Sequence, residues 1–426
     1  MNTTNRSWMN VRALCLALVG FAGFFAAAPR AQTRPGQDAP QTPAFKNQTQ
    51  APKPSRSSEY TVETVASGLV RPWSLAFLPD GRMLVTERAG RMRIVDTQGQ
   101  ISEPLDGLPP IRAVAGEGLH DVALDPQFSR NRLVYFTYFA PPPGEPSGAI
   151  PVQAWQEWLM RPPEEREKRP VGFERVARAR LSAGEKRLED VKVILEGGDR
   201  RLVFAPDGAL FVTDATPAGG GNIPIDDLPQ RLNNHYGKVL RINPDGTAPK
   251  GNPFVGRAGA RPEIYAFGLR DPEGAAINPS SRQLWTVEHG VKGGDELNIV
   301  RPGANYGFPI IAYGKKYSGE PIGNGTTAKA GMEQPAYYWD PDIGPSGLLF
   351  YTGNLFPQWK SNLFVGALVS KALVRLVLDG NRVAAEERLL VDLEQRIRDV
   401  RQGPDGALYV LTDDDKGQVL RIRPNR

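Results

Sequence analysis

The chain has 426 residues with 45 Gly, 39 Pro and one Cys, 40% hydrophobic residues and a net charge of +5. That is enough apolar residue to bury a large core, so wholesale disorder is excluded. Seven basic residues against Asp38 lie before residue 59, which leaves the rest of the chain one unit negative and argues against a phosphate-tracking nucleic-acid surface.

Residues 1–31 read as a secretory signal. Arg6 and Arg12 precede the apolar run Ala13–Ala28, which is followed by small residues up to Ala31. The run is short for a membrane span, and no span is expected after cleavage. Cys15 lies inside the signal, so the exported chain carries no thiol and no disulfide. A periplasmic or secreted location follows. Residues 32–58 are rich in Pro, Gln, Thr and Ser and read as a flexible linker.

From residue 59 the chain repeats itself. Leu75–Gly81 runs through Pro79-Asp80-Gly81 into Met83–Thr86. The pattern returns at Leu202–Gly208 with Leu210–Thr213, and again at Val400–Gly406 with Leu408–Leu411. Weaker copies surround Pro126, Pro279 and Pro357. Each unit is an apolar strand, a Pro/Asp/Gly turn and a second strand, which is hairpin chemistry. Six such units over 59–426 predict an all-β fold, a six-bladed β-propeller, with Thr61–Val65 pairing with the last blade to close the ring. A β-sandwich or a pair of small barrels is the competing architecture. The largest interruption is 141–172, where Trp155, Trp158 and Leu159 fall at helical spacing. It predicts a partly helical inserted loop packed over one propeller face.

The stretch Leu284–Pro309 stands apart. A strand-like run ends at Glu288-His289-Gly290, and Gly293, Gly294, Asp295 and Glu296 crowd the loop beyond it. Carboxylates and uncovered carbonyls are the ligands a hard cation takes. Imidazole beside carboxylate is material for proton transfer. The three histidines, His120, His235 and His289, are too scattered for a zinc signature.

Several segments in order carry a family likeness. They are Arg71-Pro72-Trp73, Phe77–Gly81, Val85–Val95, Gly237–Gly246, Asn252–Phe254, the Glu288–Asn298 loop, Pro302–Pro309 and Arg396–Gly406. Together they resemble the soluble sugar dehydrogenases of the glucose/sorbosone and aldose-sugar type, which use pyrroloquinoline quinone (PQQ). The resemblance implies a propeller holding PQQ and Ca²⁺ on one face, a small-molecule sugar oxidised at C1, and an external electron acceptor. By the same resemblance Arg270 polarises the reacting carbonyl. Asp271, Glu273, His289, Arg396 and Arg398 meet the cofactor. The backbone at Gly290 and Val291 meets the cation, and Asp295 lies close to the reacting centre.

The chain departs from the family pattern at defined places. A Gly-Gly-His segment becomes Gly197-Gly198-Asp199, which makes Asp199 the candidate base. An Asn and a Gln become Asp271 and Glu273, two anions where a tricarboxylate should bind. The expected lysine is Val369, with Lys371 two residues on, and the proline after Glu-His-Gly is Val291. These departures support an alternative, a divergent Ca²⁺-binding propeller that is non-catalytic or hydrolytic and recognises a glycan or a protein partner.

Overall fold

The computed structural model describes residues 41–114, 116–162, 165, 172–216 and 227–425. The predicted signal therefore lies outside the described residues, as does most of the unit Met1–Thr42. Pro43–Arg426 forms the second, compact unit.

Apolar strands joined by Pro/Asp/Gly turns stack as antiparallel sheets around one axis. Blade 1 comprises Pro72–Phe77, Met83–Glu87 and Arg91–Val95. Blade 2 comprises Leu119–Leu124, Leu133–Ala140, Phe173–Leu181 and Leu188–Glu196. Blade 3 holds Leu202–Phe204, Leu210–Asp214, Lys238–Ile242 and Ile264–Phe267, and blade 4 holds Pro272–Ile277, Leu284–Glu288, Asp295–Ile299 and Tyr337–Trp339. Blade 5 holds Pro345–Phe350, Leu363–Ala367, Ala372–Asp379 and Arg382–Leu389. Blade 6 takes Ile397–Gln402, Leu408–Thr412 and Gly417–Arg423 from the C-terminus, and its outermost strand, Thr61–Leu69, from the N-terminus. That pairing, Thr61 opposite Arg423 through Leu69 opposite Gly417, closes the ring as the sequence predicts.

The alternation within each strand places one apolar core between each pair of neighbouring blades. Leu84, Met92, Val134 and Phe136 pack between blades 1 and 2, and Trp285, Trp339, Leu348 and Val365 between blades 4 and 5. Leu75, Val85, Leu411 and Val419 seal blade 6 onto blade 1. The Asp-Gly turns follow one plan. Gly81, Gly208 and Gly406 have φ of 88°, 85° and 78°, a region where a side chain would be strained.

The polar segment before blade 6 differs from the linker expected of it. From residue 43 it runs along the outer edges of blades 4 and 5. The amide of Tyr338 donates to the Gln48 carbonyl at 2.8 Å, and that of Glu386 to the Pro52 carbonyl at 2.9 Å. Gln48 is fully buried, its Nε2 donating to the Pro335 carbonyl at 3.0 Å. Ser58 donates to Glu387 through both its amide and its hydroxyl. Composition predicted a solvated tether. Its polar groups instead satisfy sheet edges that would otherwise be open.

The insertion leaves blade 2 between Ala140 and Phe173, which face each other in register. It contains the helix Val152–Leu159, where Trp155 and Trp158 stack at 5.2 Å and Trp155 meets Phe139 edge-on at 5.8 Å.

Candidate active site at the propeller axis

Inner strands all begin at the same end of the axis, so the residues that open them converge: Trp73, His120, Arg201, Glu273, Ser346 and Arg398. Crowding here is severe. A Cβ on Gly274 would come within 2.1 Å of the Ser346 carbonyl. Below this ring the axis is filled by an ionic plug. Arg201 lies over the Trp73 ring at 4.1 Å, donates to the Glu273 carbonyl at 2.8 Å, and reaches Asp399 at 3.0 Å. Arg401 bridges Asp399 at 2.9 Å and Asp121 at 3.1 Å. The plug leaves the mouth above it as the place for chemistry.

At the mouth, Arg200 is surrounded by four carboxylates. Its guanidinium meets Glu117 through two bonds of 2.9 and 3.1 Å, Asp271 at 3.4 Å, Glu273 at 3.1 Å, and Asp199. Asp199 is 3% exposed. Burial pushes its carboxyl well above the usual range; Arg200 opposes that shift, and Glu117, Asp214 and Glu174 reinforce it. Asp271 behaves oppositely. Burial would raise it, but His289 and then Arg200 hold it well below the carboxylate range. The proton-avid carboxyl is thus the covered one, and the more open one stays ionised.

Beside this hub lies a cationic patch. Arg398 reaches Asp413 at 2.9 Å and Glu273 at 3.1 Å, Arg396 reaches Asp413 at 3.3 Å, and Arg71 approaches Asp413 at 3.8 Å. Arg88 is half-buried close by. Burial lowers its pKa, Asp413 opposes this, and Arg398 and Arg71 lower it further. Several arginines therefore share one buried carboxylate. The Nε atoms of Arg270 and Arg398 are buried without a hydrogen-bond partner among the described residues. Arg71 also pairs with Asp415 at 2.7 Å, so what the patch offers an anion with several carboxylates is its unspent guanidinium donors.

The loop after blade 4's second strand supplies the remaining wall. Gly290 and Gly294 let it fold back on itself. A Cβ on Gly294, whose φ is 75°, would fall 1.2 Å from the Tyr313 carbonyl. Arg270 donates from Nη1 to the His289 carbonyl at 3.0 Å, and its amide to Glu288. His289 Nε2 lies 2.8 Å from the Pro345 carbonyl, and Nδ1 lies 3.5 Å from Asp271. The carbonyls of Gly290 and Val291 accept no hydrogen bond from a described residue, as oxygen ligands of a hard cation require. Both groups named by the resemblance therefore find suitable donors here.

Asp295 is 1% exposed, and both its oxygens are occupied. Oδ1 accepts the Gly290 amide at 2.7 Å, and Oδ2 accepts those of Ile343 and Gly344 at 2.7 and 2.8 Å. Its geometry is that of a clamp between two loops.

The structure thus gathers Asp199, Arg270, Asp271, Glu273, His289, Arg396 and Arg398 at one mouth, with Gly290 and Val291 beside them. Sequence reasoning passed over Glu117, Arg88 and Asp413. It also undervalued His120, which stacks on Trp73 at 5.0 Å with Nδ1 2.5 Å from the Asp199 carbonyl. The signal available was position: Glu117 and His120 lie at the start of blade 2's inner strand, and Arg88 and Asp413 directly follow the second strands of blades 1 and 6. His235 pairs with Glu263 at 2.6 Å away from this group. Val369, at the expected lysine position, is 57% exposed.

Residues 69–421 match the family model described as glucose/sorbosone dehydrogenase. The chain is 39% identical over 374 residues to the aldose sugar dehydrogenase YliI of Escherichia coli, covering 85% of this chain and 92% of that one. Among solved structures it superposes on the apo form of a soluble aldose sugar dehydrogenase from Escherichia coli. There the TM-score is 0.76 and the identity 35%, over 86% of this chain and 100% of that one. It also superposes on the PQQ-bound aldose sugar dehydrogenase of Streptomyces coelicolor, with a TM-score of 0.64 and 25% identity over 86% and 99% of the two chains.

Proposed function

Because the chain belongs to the glucose/sorbosone dehydrogenase family, we propose that it oxidises the C1 hydroxyl of an aldose to the lactone, with PQQ and Ca²⁺ held at the axial mouth. The observation that carries the reading is the arginine patch with its unspent buried donors, Arg270 Nε and Arg398 Nε. When bound, the quinone supplies the hydride acceptor.

The chain's own residues divide the remaining work. Arg396 and Arg398 bind and orient carboxylates. Arg270, anchored through the His289 carbonyl, presents positive charge where negative charge develops. The Gly290 and Val291 carbonyls hold the cation. As the sugar's C1–H bond breaks, its O–H proton must leave so that the C1=O bond can form. Asp199 is the proposed acceptor: the ion pair with Arg200 keeps it ionised at rest, and burial favours its taking up the proton once that pair opens. Arg200 covers it through Nη1, a contact that must open for a sugar hydroxyl to reach it while Nε stays with Asp271 and Glu273. Asp295 holds the loop. The basic, apolar N-terminus supports export to the periplasm or medium. No helix among the described residues is long and apolar enough to cross a membrane.

The closure of Arg200 over Asp199 also favours a second reading, a propeller that binds quinone or sugar without turnover. One experiment separates the two. Purified protein is titrated with PQQ and Ca²⁺ while the quinone absorbance is followed, and aldoses are then added with an artificial electron acceptor. Binding followed by sugar-driven reduction supports the dehydrogenase. Binding without reduction supports the second reading, and no binding overturns both forms that involve quinone. Asp199→Asn should abolish turnover while Asp271→Asn leaves much of it; the reverse result would transfer the base to Asp271.

A further inference from the structure

We infer that Arg200 is a positioning residue that sets the charge of the cofactor cradle, neutralising Asp271 and Glu273 so that a polyanionic quinone can bind beside them. The inference rests on the dehydrogenase reading above. It resolves a conflict in the sequence, where two carboxylates border the place a tricarboxylate must occupy.

The geometry is specific. Arg200 Nε faces both acids, at 3.4 Å from Asp271 Oδ1 and 3.1 Å from Glu273 Oε1. Its other end is fixed by the paired bonds to Glu117 and by Asp199. A guanidinium gripped at both ends keeps its charge at one point of the mouth, where a lysine on a flexible stem would wander. Glu273 receives a second cation, Arg398, at 3.1 Å, and Asp271 receives His289 at 3.5 Å. Each acid is therefore flanked on two sides, and Arg200 is the neighbour they share. The side chain is 9% exposed, so solvent screens the arrangement little.

Removing Arg200 leaves Glu273 with Arg398 and Asp271 with His289 and the more distant Arg270 at 3.9 Å, and it strips Glu117 and Asp199 of the three bonds they now make to it. Two partly compensated carboxylates bordering the anion's place in a medium of intermediate dielectric weaken its binding by roughly 10- to 100-fold. Sugar affinity is not expected to fall in step, because a neutral sugar feels little of that charge.

The test is PQQ binding, read by quinone absorbance and fluorescence at fixed Ca²⁺ and followed across salt concentration. Four proteins are compared: wild type, Arg200→Gln, Asp271→Asn/Glu273→Gln, and the triple variant combining these. Arg200→Gln should raise the Kd by roughly 10- to 100-fold. The double variant should bind as well as wild type or better. The triple variant should regain the part of the loss that Asp271 and Glu273 cause, and so bind measurably better than Arg200→Gln, because those two acids are gone. Thermal unfolding checks that each variant is folded. If Arg200→Gln does not fold, the triple variant still decides the matter, because only a charge role predicts that it binds. Equal Kd in wild type and Arg200→Gln overturns the inference alone. So does a triple variant as weak as Arg200→Gln, which would make the residue a mere structural tie. Failure of wild type to bind PQQ instead overturns the dehydrogenase reading, and this inference falls with it.

Discussion

Asp295→Ala is the sharpest way to separate a catalytic carboxylate from a loop clamp. The sequence and its resemblance place Asp295 near the reacting centre, whereas the structure gives its oxygens three backbone amides at 2.7–2.8 Å and leaves it 1% exposed. Truncation orphans the amides of Gly290, Ile343 and Gly344. A buried donor without a partner costs about 1–3 kcal/mol, so the three together cost about 3–6 kcal/mol after partial relaxation toward water. For a chain of this size that corresponds to a fall of roughly 5 °C or more in Tm. Asp295→Asn keeps one oxygen, which can serve the Ile343 and Gly344 amides, but its NH₂ then faces the Gly290 amide. About half the loss should remain. Because Gly290 belongs to the proposed cation platform, the Ca²⁺ needed for half-maximal quinone binding should rise in both variants. Thermal unfolding and a calcium titration measure the two effects. Both variants retaining the wild-type Tm within a degree or two while losing turnover would refute the clamp and restore the catalytic role.

Three further outcomes can be checked. Glu174 has its pKa raised by burial to about 7, with the nearby Glu117 adding to the shift. A raised folded pKa means that its contribution to stability is complete below the unfolded value of about 4.5 and is lost as pH rises toward 7. Glu174→Gln should therefore flatten that part of the stability profile; an unchanged profile would remove Glu174 as its source. Arg398→Ala should weaken PQQ binding more than Arg396→Ala. Arg398 is 8% exposed and serves two carboxylates, whereas Arg396 is 41% exposed, and equal losses in the two titrations would count against the cradle as drawn. Gly294→Ala combines a φ of 75° with a Cβ placed 1.2 Å from the Tyr313 carbonyl. It should cost several kcal/mol and lower the yield of folded protein, and a wild-type unfolding midpoint would contradict the folded-back loop.

The blades were readable in advance because their information is local. An apolar strand, Pro79-Asp80-Gly81 and a second apolar strand specify a hairpin wherever they stand, and the same chemistry at Asp207-Gly208 and Asp405-Gly406 repeats it. Ring closure was also readable, since Thr61–Val65 is a strand with no partner nearby in sequence. The residues 43–58 were misjudged for the complementary reason. Composition reports how polar a segment is, but not that Gln48 and Pro52 will meet open strand edges of blades 4 and 5.

The mouth belongs to tertiary structure. Arg200 and Glu117 are 83 positions apart, and Arg200 and Asp271 are 71 apart. They meet because every blade opens its inner strand at the same end of one axis, a relation no window of sequence contains. From sequence alone, Asp271 and Glu273 count as two anions beside an anion site, and Asp199 as a weak stand-in for a histidine. Only radial packing supplies the arginine that neutralises the first pair and the burial that raises the proton affinity of the other. The chain thus specified its propeller and its sugar-dehydrogenase resemblance residue by residue. The charge balance of the site was decided where six strands converge, because electrostatic energy depends on distance in space and on exclusion of water.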